Sequence, residues 1–149
     1  MPKLTLAEFL PYRLSVLSNT ISRNIAEIYD REFGLNIWQW RVMAVIGETP
    51  GASATEVMHR TAMDKVAVSR AVAGLIELGY MTREASKEDA RRSVLALTAQ
   101  GQGIYDQIVP LALGYERELM NGLHRAELEE LQAALSHLAT IASPDRELW

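Results

Sequence analysis

Apolar residues recur every three to four positions over residues 11–33, at Leu14, Leu17, Ile21, Ile25 and Ile28, a spacing that predicts one long helix. Pro11 suits its first turn and Gly34 its stop. Asn36 opens a second helix, because Gln39 three residues later completes a capping-box pair. That helix runs through IWQWRVMAVIGE to the breaker Thr49-Pro50-Gly51. Ser53 and Glu56 repeat the box ahead of a short third helix ending near Thr61. Asp64 caps a fourth, KVAVSRAVAGLIEL, closed by Gly79. The period then changes. Residues 80–85 and 93–97 have strand character, with a polar connection at residues 86–92. Thr98 is a good N-cap for a fifth helix through about Met120, Asn121-Gly122 breaks it, and RAELEELQAALSHLATIA predicts an amphipathic sixth.

The order is helix, helix, short helix, helix, hairpin, long helix, helix. This is a mainly α chain with one small β-hairpin, and a tight helix pair followed by a two-stranded wing describes a winged helix-turn-helix. The chain divides into a winged lobe at residues 36–98 and flanking helices at 1–35 and 99–149.

The length of 149 residues suits one domain, and 48% hydrophobic residues with 23% charged argue for a packed core rather than disorder. No apolar run approaches the roughly 20 residues of a membrane span, and the N-terminal patch is interrupted by Pro11 and Arg13, unlike a signal peptide. The absence of cysteine excludes a disulfide framework and a thiol redox sensor. A cytoplasmic protein is expected. The net charge of -4 argues at first against nucleic acid, until it is divided along the chain. Residues 58–98 hold seven Lys and Arg against five Asp and Glu, whereas residues 99–149 hold three against eight. The acidic excess is C-terminal, so total charge does not veto a local DNA-binding face.

Helical geometry at about 100° per residue sorts the fourth helix into two faces. Val68, Ala71, Val72 and Leu75 form a packing face, while Val66, Ser69, Arg70 and Ala73 form a slim outer one. A slim face enters a major groove about 12 Å wide, where Arg70 suits guanine, Val66 and Ala73 suit thymine methyls, and Ser69 suits base or phosphate. Lys65 in the first turn suits phosphate. The other reading is a plain solvated face. The stretch DARRSVLALTAQG weighs against it, because arginines at a polar tip gain nothing from the core and exposed ion pairs contribute only about 0–1 kcal/mol. A narrow minor groove accepts a single inserted arginine. Asp89 is expected to hold the Arg91 guanidinium, with Arg92 and Lys87 facing flanking phosphates. A solvated turn with a local ion pair is the plain alternative.

DARRSVLALTAQG resembles the D-x-R-x5-L-T-x2-G signature of the MarR family of bacterial transcriptional regulators, with Asp89, Arg91, Leu97, Thr98 and Gly101 at the matching positions. TAMDKVAVSRAVAGLIELGYMTRE is similar to that family's recognition helix entering its first wing strand. The resemblance covers nearly the whole chain. It implies a homodimer that binds double-stranded DNA at an inverted-repeat operator, with the arginine matching Arg91 in the minor groove. The output it implies is repression, relieved by a small-molecule effector that is often an aromatic acid. A dimer also gives an outlet to apolar stripes at residues 14–28, at Ile104, Ile108 and Leu111, and at Leu128, Leu131, Leu135 and Leu138. The first helix and the last two would then form the dimerisation region; packing within one chain is the other outlet.

Trp38, Trp40 and Arg41 put an aromatic wall beside a guanidinium, suited to a phenolic carboxylate, and Arg13 and Arg23 would add cationic ligands. Core packing for Trp40 and an ion pair for Arg41 fit the same pattern. His59, His124 and His137 are scattered, and no metal pair, P-loop, nucleophile elbow or glycine-rich dinucleotide turn is present. No cofactor, metal site or enzymatic activity is expected. The rival to a DNA-binding regulator is a winged-helix protein-interaction module that has lost DNA binding.

Overall fold

The computed structural model describes residues 1–149, with a single 3-10 turn (Leu6–Glu8) ahead of six helices and one hairpin. The elements are α1 (Leu10–Phe33), α2 (Ile37–Glu48), α3 (Ala54–Thr61), α4 (Lys65–Glu77), β1 (Met81–Ala85), β2 (Ser93–Leu97), α5 (Ala99–Met120) and α6 (Arg125–Ala142). Local chemistry sets their limits. Pro11 lies in the first turn of α1, and Gly34 ends it in the left-handed region at φ 65°, which costs glycine nothing. Both expected capping boxes form: Asn36 with Gln39, and Ser53 with Glu56.

The core lies under the winged lobe. Val42, Met43, Val45 and Ile46 of α2 meet Val57 of α3, the expected face of α4, Met81 and Leu95 of the wing, and Ile108 of α5. Strands β1 and β2 are antiparallel, with Met81 opposite Leu97 and Ala85 opposite Ser93. A further rung anchors the sheet, as Leu95 donates its N–H to Ala52 O at 3.0 Å, tying β2 to the segment that leads into α3. Gly101 closes the other end. A Cβ there would overlap the Tyr80 carbonyl oxygen, so only glycine lets α5 start against the wing.

Tyr29, Trp40 and Tyr105 stack across α1, α2 and α5 at centroid separations of 5.7 and 6.0 Å. Burial pushes the Tyr29 hydroxyl up to about 12, with Arg41 opposing and Asp30 adding to the shift.

The apolar stripes divide in use. Ile25, Ile104 and Ile108 pack into the chain's own core, so for these positions the outlet is packing within one chain. Leu17, Leu111, Leu131, Leu135 and Leu138 stay exposed, α6 buries none of its residues, and it packs substantially against no other element. No helix is long and apolar enough to cross a membrane.

Candidate nucleic-acid interface

The turn into α4 is tight. Thr61 Oγ1 donates to Val57 O at 2.6 Å and accepts the Met63 N–H at 3.3 Å, while Ala62 takes the left-handed region at φ 53°. Nothing in the sequence marks Ala62 for that conformation, because glycine or asparagine is the usual occupant. Asp64 then caps α4 by accepting the Ala67 N–H at 2.7 Å. The residues expected to pack, Val68, Ala71, Val72 and Leu75, are buried. Lys65, Val66, Ser69, Arg70 and Ala73 are all exposed, so the outer face is free along its length.

The wing tip is built from within. Ser86 Oγ accepts the Glu88 and Asp89 N–H groups at 3.2 and 3.4 Å, and Ser86 N–H donates to Arg92 O at 2.7 Å. Asp89 Oδ1 accepts the backbone N–H of Arg91 at 3.0 Å, and its carbonyl accepts the Arg92 N–H at 3.0 Å. This corrects the expected contact with the Arg91 guanidinium. An aspartate two residues back reaches a main-chain amide by the shortest ring, the Asx turn, and leaves the guanidinium loose. Arg91 and Lys87 are exposed, and neither takes part in any of the chain's three ion pairs. Arg70 and Lys65 are unpaired as well. Arg92 differs: its Nη2 lies 3.8 Å from Glu56 Oε1 on α3.

The residues read as effector ligands come together only in part. The Arg41 guanidinium lies 5.4 Å from the exposed Trp38 ring centroid, and its Nη2 is 3.4 Å from Ser22 Oγ. Trp40 is committed to the aromatic stack, as the core reading allowed, yet it lines with Arg41 a depression of about 340 Å³ between α2 and α3. Arg60 also lines it, paired with Glu48 and bonded to Thr49 Oγ1 at 2.7 Å. Sequence reasoning missed Arg60, since its partners lie more than ten residues upstream. Arg13 lines a different depression along α1, and Arg23 is exposed without an ion-pair partner. The histidines stand apart: His59 Nδ1 is 3.4 Å from Arg146 Nη1, and the His124 N–H donates to Glu127 at 2.7 Å.

A helix pair with a capped, slim second member and an internally braced wing defines a winged helix-turn-helix of the DNA-binding class. Residues 33–92 match the model described as MarR family. The chain is 24% identical over 105 residues to the HTH-type transcriptional regulator BilQ of Clostridium symbiosum, covering 70% of this chain and 73% of that one. It superposes on the crystal structure of a MarR/EmrR family transcriptional regulator from Acinetobacter sp. ADP1 with TM-score 0.86 and 25% identity, over 95% of this chain and 99% of that one. A MarR-family regulator from Listeria monocytogenes, solved with a 26mer DNA, gives TM-score 0.80 at 20% identity over 97% and 92% of the two chains. Over residues 33–92 the chain is thus similar to the MarR family of transcriptional regulators, and along almost its whole length it shares the fold of a solved MarR/EmrR regulator.

Proposed function

We propose that this regulator is a cytoplasmic repressor that binds an inverted-repeat operator as a homodimer and is released by a small aromatic acid. The observation that carries the DNA reading is the pairing of an unobstructed α4 face with an arginine that has no partner of its own, on a wing whose backbone is already fixed. Val66, Ser69, Arg70 and Ala73 read the major groove, Lys65 and Lys87 meet phosphates, and Arg91 enters the minor groove. Asp89 shapes the loop that carries Arg91, and Arg92 stands at its base. Residues 36–98 form the DNA-binding lobe and residues 1–35 with 99–149 the dimerisation helices. The uncovered apolar positions of α1, α5 and α6 support that division, and two-fold pairing would set the two α4 helices about 34 Å apart, one turn of DNA.

The effector site is the depression beside Trp40 and Arg41, where a ring meets apolar Ala44 and Val45 and a carboxylate meets Arg41. Release follows if the ligand favours a subunit spacing that mismatches the operator, and a coupling of about 1–3 kcal/mol weakens binding roughly 5- to 150-fold. The deciding experiment is binding to duplexes selected from a random pool, repeated with a panel of aromatic acids. Salt-dependent, sequence-selective binding that falls with one acid is expected. A chain that retains no duplex at low salt would leave the protein-interaction module as the better reading.

A further inference from the structure

Arg92 closes the loop at the tip of the wing, with its carbonyl accepting Ser86 N–H and its N–H donating to Asp89 O, so its backbone is held on both sides. Its side chain crosses a cleft of about 420 Å³, bounded by Ser53, Ala54 and Thr55 on one side and Arg91 and Ser93 on the other. At the far wall is Glu56, whose two carboxylate oxygens do different work. Oε2 accepts the Ser53 N–H at 2.6 Å and closes the capping box, while Oε1 faces Arg92 at 3.8 Å. The same two segments are joined once more by the Leu95 N–H bonded to Ala52 O. The wing is therefore tied to the start of α3 at two points, one main-chain and one ionic.

Resting on the DNA-binding reading above, we propose that Glu56 is a positioning residue: through Arg92 it braces the wing against α3 and so sets where Arg91 is presented. Arg92 then spends its charge within the lobe rather than on a phosphate. Both partners are about half exposed, so the pair is a modest one, and its effect lies in orientation rather than in holding the fold. A wing fixed only by β1 and β2 can rock about the strand axis. A strut to α3 removes that freedom before DNA arrives, and less entropy is lost on docking.

The test is a set of four proteins, wild type, Glu56→Gln, Arg92→Gln and the double variant, titrated with a selected duplex across a salt series. Glutamine at this position keeps the capping box, so the α3 cap survives while the charge is lost. Each single variant is expected to weaken binding about two- to fivefold, with the double no worse than either and the slope against log salt unchanged. Amide exchange in the free Glu56→Gln protein should quicken at residues 86–92, which requires no DNA at all. The idea is overturned if Arg92→Gln alone flattens the salt slope by about one phosphate contact while Glu56→Gln binds as well or better. Additive losses, or unchanged exchange in the wing, would overturn it too. Failure of wild type to bind any duplex while the wing exchange still responds would instead sink the DNA reading and leave the brace standing.

Discussion

Arg91 and Arg70 are arginines with nothing to neutralise them, which is why their removal should act on DNA and hardly on folding. Arg91→Ala is expected to weaken operator binding by about 1–3 kcal/mol with an unchanged melting temperature; anisotropy titration beside thermal melting checks both halves. Arg70→Ala should relax preference at particular base pairs, as read by repeating the duplex selection. Tyr29 gives a pH signature of a different kind. Its folded hydroxyl titrates at about 12 against an ordinary value of 10.0, so the folded state keeps the proton longer than the unfolded one. The resulting stabilisation is complete below pH 10 and is lost as pH rises from there through 12. A chemical-denaturation series over that window should show a decline, up to about 3 kcal/mol, that Tyr29→Phe removes. The arginines were legible in the sequence, being exposed by pattern and surplus to any core. The Asp89 contact was not, since a carboxylate two residues back serves amide and guanidinium equally well on paper and only the Asx geometry decides.

The element limits were the most legible feature, because each helix start carries its own chemistry. Asn36 with Gln39, Ser53 with Glu56, Asp64 and Thr98 all cap where expected. Thr98 does more than its local role, as its Oγ1 accepts Gly101 N–H at 3.0 Å and also donates to Gly79 O at 2.6 Å, joining the end of α4 to the start of α5. Gly101 beside it has no room for a Cβ, and Gly101→Ala should destabilise the chain by about 1–3 kcal/mol in denaturant melts by prying α5 from the wing. Ala62 was invisible to pattern reasoning: an alanine at φ 53° is a tertiary imposition, demanded by the tight α3–α4 turn. Ala62→Gly should relieve it and stabilise by about 1 kcal/mol, seen as a raised denaturation midpoint. Long-range partners such as Arg60 with Glu48, or Arg92 with Glu56, escaped for the same reason, as neither lies within helical reach in sequence.

Across the molecule, the winged lobe is satisfied and the ends are not. Every fully buried side chain of α2, α3 and α4 belongs to one core, whereas α6 has no buried residue and shows Leu131, Leu135, Leu138 and Ile141 to the surface. The sequence could name these apolar stripes but not apportion them, because periodicity tells which face of a helix is apolar and not which body covers it. Deleting α6 is expected to give monomers or insoluble chain by sedimentation, and a stable dimer after that deletion would refute the assembly. The proposed repressor depends most on one geometry, two α4 helices and two Arg91 side chains offered together to neighbouring grooves. Selection of duplexes from a random pool tests it directly. The account predicts enrichment of an inverted repeat whose half-site centres lie about 10 base pairs apart, whereas enrichment of a lone asymmetric half-site, or of nothing, would contradict it.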